Sequence, residues 1–264
     1  MHFKNKIVWI TGASSGIGKE LAIQLSKEKA ILILTSRNEE ALRDLQVQLL
    51  QNTKIHILPF DLSQIDLLEN LSQKALYFEG KIDCVIQCAG VSQRSLAMDT
   101  HLEVHQKIMN INYFAPLAIT KALLPHFTQN KNGHFVVISS VAGLYGFPLR
   151  SGYVASKHAL KGFMETLQTE LYKTKIKSTI VFPGRIDTAI SKNALTGTGT
   201  KSGEEDANNE IGMDVKICAY KIIKGIKSNK INIYIGLPER VLFWIWWFFP
   251  NLYLKISNKK GLKN

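Results

Sequence analysis

KIVWITGASSGIGKELAIQLSKEK, residues 6–29, decides the fold. Its opening run, KIVWIT, is rich in β-branched residues and apolar on both faces, so it reads as a strand buried on both sides. Its last part, GIGKELAIQLSKEK, spaces apolar residues as a helix does. Between them Gly12, Gly16 and Gly18 stand in the pattern G-x-x-x-G-x-G. Glycines let a backbone turn sharply and come close to a pyrophosphate, which then rests at the positive N-terminus of the helix. The turn therefore marks Gly12, Ser14, Ser15, Gly16, Ile17 and Gly18 as candidate binding residues for a dinucleotide.

The same alternation continues along the chain. AILILTS, KIHILPF, IDCVIQCAG, GHFVVISS, IKSTIVFPG and INIYIG repeat the strand signature, and amphipathic segments such as NEEALRDLQVQLL and HLEVHQKIMNINYFAPLAITKALLPHF separate them. Buried strands alternating with helices predict an α/β fold, a doubly wound parallel sheet of seven strands with helices on both faces. With 264 residues and 45% apolar content, residues 1–264 are expected to form a single domain with a sizeable core. One stretch departs from the pattern. Residues 190–212, ISKNALTGTGTKSGEEDANNEIG, are polar and long, which predicts a lid over a pocket.

The first strand begins close to the start of the sequence, with no charged-then-apolar leader before it, which predicts a protein without a secretory signal. Three cysteines lack zinc-type spacing and are expected as free thiols, consistent with the cytoplasm. His101 and His105 lie i, i+4, but HLEVH is not H-E-x-x-H, so no metal is expected.

The net charge of +12 is uneven: from Lys216 onward ten lysines and arginines face one acid, Glu239. Within that region VLFWIWWFF (241–249) carries three of the four tryptophans, and Pro250 ends the run. Nine apolar residues cannot span a bilayer, which takes about 20. Tryptophans beside lysines suit a segment lying at a membrane surface, so the basic, aromatic extension 237–264 is a candidate for peripheral contact at the inner face of a membrane, through 241–263. Packing against the protein's own pocket or a second subunit is the alternative. No reader motif accompanies the basic residues, so nucleic acid is not expected as a partner.

Two short motifs carry chemistry. The second strand ends LTSRN, where an acid would hydrogen-bond an adenosine ribose; Ser36 and Arg37 stand there instead, which favours NADP(H) over NAD(H). Ser36 or Asn38 can also cap the following helix, whose first turn holds Glu39 and Glu40. YVASK (153–157) puts Tyr153 and Lys157 on one helical face. A free phenol titrates near pH ~10, and a neighbouring cation favours its ionised form, so the pair can act as a tuned acid/base.

TGASSGIG, Asp61-Leu62, Cys88-Ala89-Gly90, INYFAP around Asn112, ISS ending at Ser140, YVASK and PGRIDT (183–188) occur in this order and together resemble the short-chain dehydrogenase/reductase family, with its Rossmann-type sheet, from residue 6 to about 190. VSQRSLAMDT and the tail are similar to a membrane-associated branch that includes dehydrogenase/reductase member-7-like proteins and type 1 11-beta-hydroxysteroid dehydrogenase. The resemblance implies a catalytic set of Asn112, Ser140, Tyr153 and Lys157. Tyr153 would exchange a proton with a carbonyl or alcohol oxygen, and Ser140 would hydrogen-bond that oxygen. Lys157 would lower the phenol's pKa and hold a ribose; Asn112 would place a water linking Lys157 to solvent. It further implies cofactor contacts from Asp61, Leu62, Ala89, Gly90, Pro183, Gly184, Ile186 and Thr188, besides Asn112, Tyr153 and Lys157. Where the family reads NAG this chain has Cys88, which makes the ties between central strands an open question. An apolar ketone or aldehyde, steroid-, retinoid- or lipid-like, is the expected substrate, and a homodimer or homotetramer built on 101–128 and 151–173 the expected assembly. The alternative on the same fold is a sensor that binds NADP without turnover.

Overall fold

A computed structural model describes residues 1–49, 51, 53–203 and 212–261. Seven strands form one parallel sheet: β1 (Ile7–Thr11), β2 (Ile31–Thr35), β3 (Ile55–Ile57), β4 (Cys84–Gln87), β5 (Gly133–Ile138), β6 (Ile176–Pro183) and β7 (Asn232–Ile235), in the order β3-β2-β1-β4-β5-β6-β7. The helices are α1 (Gly16–Lys27), α2 (Glu39–Leu49), α3 (Leu68–Glu79), α4 (Leu102–Met109), α5 (Ala115–Gln129), α6 (Ser151–Glu170), α7 (Val215–Lys227), α8 (Leu237–Phe248) and α9 (Pro250–Gly261).

Alternate side chains of one strand serve opposite layers, because successive Cβ atoms point to opposite faces. In β1, Val8 and Ile10 pack with α1, α2 and α7 through Leu21, Leu42 and Ile222, while Ile7 and Trp9 pack with α3, α5 and α6 through Leu71, Leu123 and Leu160. Both layers are apolar, so the strands read as continuous apolar runs in the sequence. Trp9, fully buried, still has a partner for its indole N–H: Nε1 donates to Thr35 Oγ1 at 2.9 Å.

The chain winds outward from β1 to β3 and then returns to β4 on β1's other side. At such a reversal the loops leaving neighbouring strand ends diverge and open a crevice. Helices α4 and α5 are joined through a π-helical turn, Asn110–Phe114, so the predicted segment HLEVHQKIMNINYFAPLAITKALLPHF is helical without a break from Leu102. Such wide turns re-aim side chains and concentrate at functional sites.

Two regions show more than the sequence reading gave. The first part of the expected lid is built: Leu195 bridges Gln93 on one side and Lys201 on the other, and Thr196 N–H and Ser202 N–H bond to Thr200 O and Ala194 O. Tight contact with its neighbours supports this hairpin, since a Cβ at Gly197 would stand 2.0 Å from Asp99 O. Residues 204–211 of the expected lid lie outside the described residues. In the tail, Pro250 begins a second helix instead of only ending the aromatic run; proline fits a first helical turn because the N–H it lacks has no partner there. Tyr253 of α9 is buried, its hydroxyl donates to Gly146 O at 2.5 Å, and its ring meets Tyr145 edge-on. Among the described residues no helix is long and apolar enough to cross a membrane.

Candidate active site

A cleft of about 840 Å³ runs across the carboxyl ends of the strands at the β1/β4 reversal. Its floor is the glycine turn. Gly12 has φ +69°, and a Cβ there would stand 2.7 Å from Ala89 N; a Cβ at Gly18 would meet Gly12 O at 2.3 Å. Only hydrogen fits at either place. Gly12, Ser14, Ser15, Gly16 and Ile17 line the cleft, whereas Gly18 is buried beneath it and lets α1 approach the turn. Helix α1 starts with no side-chain cap and no acid in its first turn. Its leading N–H groups are thus left for an anion, which fits a dinucleotide pyrophosphate.

Ser36, Arg37, Asp61 and Leu62 line one end. Asn38 caps α2, its Oδ1 accepting from Ala41 N–H at 3.0 Å, while Ser36 Oγ donates to Asn38 O at 3.2 Å. Capping therefore falls to Asn38. Arg37 is exposed, and among the described residues no carboxylate pairs with it. Asp61 Oδ1 accepts from Ser63 N–H at 3.0 Å. Ala89, Gly90, Pro183, Gly184, Ile186 and Thr188 line the middle. The PGRIDT segment is held by Met213, whose N–H bonds Arg185 O and whose carbonyl takes Asp187 N–H, and by Glu239 of α8, whose Oε1 accepts Arg185 N–H.

At the other end Ser140, Tyr153 and Lys157 come together. Strand β5 delivers Ser140 and α6 delivers the pair on one face, one turn apart. Tyr153 and Lys157 are buried, 9% and 3% exposed, and Lys157 Nζ lies 5.7 Å from the Tyr153 ring centroid. That ammonium donates to Ile138 O at 2.9 Å, and burial lowers its pKa to about 8. Burial raises the Tyr153 phenol above its ordinary value; the Ser140 hydroxyl beside it and then the Arg150 charge pull it down.

Asn112 sits in the π-helical turn, fully buried. Its Oδ1 accepts from Val91 N–H and its Nδ2 donates to Val91 O and Ser156 Oγ, all at 2.9 Å. Both amide hydrogens are committed, so this side chain clamps the loop after β4 to α6. Cys88 follows β4 directly. Its N–H and that of Ala89 both reach Thr11 Oγ1, at 3.2 and 3.4 Å, so Thr11 ties β4 to β1. Burial pushes the Cys88 thiol up to about 12, and all three cysteines are free.

The sequence reading missed Gln93 and Arg150. Gln93 is fully buried, its Oε1 accepts Gly152 N–H at 2.7 Å, and its Nε2 reaches Ser95, Thr100 and Ser151 hydroxyls. Arg150 Nη1 donates to Ser92 Oγ and to Gln93 O. The only sequence signal was that VSQRSL is polar directly after a buried strand.

Residues 6–198 match the family of short chain dehydrogenases. The chain belongs to the short-chain dehydrogenase/reductase family. It is 36% identical over 266 residues to dehydrogenase/reductase SDR family member 7B of Xenopus laevis, covering 97% of this chain and 82% of that one. To dehydrogenase/reductase SDR family member 7 of Homo sapiens it is 36% identical over 265 residues, covering 97% and 78%. Among solved structures, a short-chain dehydrogenase/reductase from Burkholderia phymatum in complex with NAD superposes with a TM-score of 0.84 at 20% identity, covering 96% of each chain. A short-chain dehydrogenase from Sphingobium yanoikuyae in complex with NADPH does so at 0.77 and 23% identity, again over 96% of each. The short-chain dehydrogenase/reductase thus carries an oxidoreductase fold with a nucleotide-binding cleft, and the structural likeness speaks for the fold alone.

Proposed function

We propose that the protein is an NADP(H)-dependent oxidoreductase that interconverts an apolar carbonyl compound and its alcohol. One observation carries the reading: Tyr153, Ser140 and Lys157 line the same cleft as the glycine turn at the uncapped start of α1. A bound nicotinamide dinucleotide supplies or accepts the hydride. In reduction the Tyr153 hydroxyl gives its proton to the carbonyl oxygen, and in oxidation the phenolate takes it back. Ser140 donates to the same oxygen and holds it as charge develops. Lys157, anchored on Ile138 O, is placed to hold the nicotinamide-side ribose, and Asn112 fixes the loop that carries Val91. In this reading Asp61 and Leu62 contact the adenine, Ala89 and Gly90 its ribose, Ile186 and Thr188 the carboxamide, and Ser36 with Arg37 a 2′-phosphate, all of them residues that line the cleft.

The tail extends the reading. Trp244, Trp247, Phe248 and Phe249 are more than half exposed, with Lys255 and Lys259 on the next helix, a surface that suits peripheral docking on an anionic membrane and delivery of a lipid-soluble substrate. The protein is then peripheral, at the cytoplasmic face. Exposed Leu102, Phe114 and Tyr172 on the segments 101–128 and 151–173 suit a homodimer or homotetramer.

A screen of NADPH consumption over ketones and aldehydes tests the reading, with Tyr153→Phe as control. Losing the proton donor is expected to cost on the order of a thousandfold in kcat while the NADPH affinity holds. A screen with no turnover, alongside tight NADPH binding that Tyr153→Phe leaves intact, would favour the non-catalytic sensor.

A further inference from the structure

Helix α6 breaks a local rule where it begins. A helix start favours Ser, Thr, Asp or Asn as cap and acids in the first turn, since both answer its free N–H groups and positive end. Here the cap position is Arg150, a cation, with no side-chain cap bond and no acid in the first turn. The residue before it, Leu149, holds φ +65°, a conformation costly for a branched side chain. Such exceptions need support from outside the helix.

That support comes from the loop after β4. Gln93 Oε1 takes Gly152 N–H and so serves as the missing cap from 59 residues away. Gly152 has to lack a side chain for this, because a Cβ there would lie 2.9 Å from Gln93 Oε1 and 2.8 Å from His105 Nδ1 of α4. Ser95 N–H bonds to Leu149 O at 3.1 Å, securing the strained residue. Arg150 closes the unit through Ser92 Oγ and Gln93 O.

We propose that Arg150, pinned by Ser92 and Gln93, is a positioning residue for Tyr153: it fixes the first turn of α6 and keeps a permanent positive charge beside the phenol. The inference rests on the oxidoreductase reading, in which Tyr153 transfers the proton. Several titratable groups surround that phenol. Lys157 faces it from its own helix and Cys88 from the end of β4; His105 of α4 lies against Gly152, and Lys107 of α4 and Lys201 of the hairpin line the same cleft. Arg150 adds to them from the start of the helix, and a guanidinium keeps its charge at every pH where a tyrosine titrates. The pull it exerts on Tyr153 agrees with that placement.

The test is Arg150→Gln, with Arg150→Lys as the conservative variant. Loss of the cation disfavours the phenolate, so the phenol's pKa must rise. The direct readout needs no turnover: the phenolate absorbance change with pH, as the difference between each protein and the same protein carrying Tyr153→Phe. Arg150→Gln is expected to move that titration upward by about one pH unit, with Arg150→Lys returning most of the shift. In alcohol oxidation with NADP+, the rising limb of kcat against pH is expected to move by the same amount. Should Arg150→Gln lower the melting temperature and kcat yet leave both titrations in place, Arg150 is a structural cap only and the proposal is overturned. If the absorbance titration shifts but no variant turns over any substrate, the positioning role stands and the oxidoreductase reading fails instead.

Discussion

The glycine turn lines the cleft and the C-terminal helices pack outside it, and the two are made in opposite ways. In the turn the working groups are backbone, and the side chains are chosen for what they leave out: Gly12 and Gly18 are there because a methyl group would strike Ala89 N or Gly12 O. In α8 and α9 the working groups are large side chains, each reaching a partner far away in sequence. Tyr253 finds Gly146, and Glu239 finds Arg185. A site built from backbone conformation is written locally, because only one residue type tolerates that conformation. A site built from long-range packing spreads its instructions over the whole chain.

The strongest way to break this contrast is a single methyl in the turn. Gly12→Ala places a Cβ 2.7 Å from Ala89 N and 2.8 Å from Ala89 Cα, on a residue with φ +69°. Backbone on both sides cannot move aside cheaply. The expected loss is roughly 2–4 kcal/mol of stability, together with most of the dinucleotide affinity, read by thermal melting and by titration with NADPH. A melting point within a degree or two of wild type would mean the turn relaxes, and the claim that its backbone is the binding element would fall.

A milder intervention keeps the backbone and removes one charge. Arg37→Ala leaves the cap made by Asn38 in place, since that bond belongs to Asn38 Oδ1 and Ala41 N–H. NADPH affinity is expected to drop about ten- to a hundredfold, the worth of a hydrogen-bonded charge pair, with NADH affinity nearly unchanged. Equal losses for both cofactors would show that Arg37 does not read the 2′-phosphate.

Much of the fold was legible for the reason the turn is. All seven strands were readable because both layers bury them, leaving uninterrupted β-branched runs such as IVWIT and ILILT. YVASK was readable because helical spacing alone puts Tyr153 and Lys157 on one face. What governs their ionisation was not. Sequence places Lys157 next to Tyr153, but only the packed structure shows the ammonium on Ile138 O, Arg150 at the start of the helix, and burial outweighing the pulls of Ser140 and Arg150. Gln93 was invisible for the same reason: its partner Gly152 is 59 residues away. Thr and Gly in the expected lid suggest a loop, and the sequence does not show that Leu195 ties its first part to Gln93 as a hairpin.

The aromatic run separates two kinds of apolar surface that composition merges. Leu242, Phe243, Ile245 and Trp246 pack against the layer of β1, β5 and α6 residues, while Val241, Trp244, Trp247 and Phe248 face outward. A helix turns 100° per residue, so neighbours in VLFWIWWFF inevitably serve different faces. Replacing Trp244, Trp247 and Phe248 together by serine removes ring contacts with Phe243 and Trp246 but no residue of the core-facing side, and the melting temperature is expected to stay within a few degrees of wild type, as surface changes usually do. Trp246→Ala, half-buried on the inner face, is expected to lower it by several degrees. Flotation with vesicles containing anionic lipid then reads the outer face: the triple serine variant should lose binding that Trp246→Ala largely keeps. If the outer variant floats as well as wild type, that face is no membrane surface. If it melts as early as Trp246→Ala, the two faces are one packing unit, and the long-range half of the comparison extends over the whole helix.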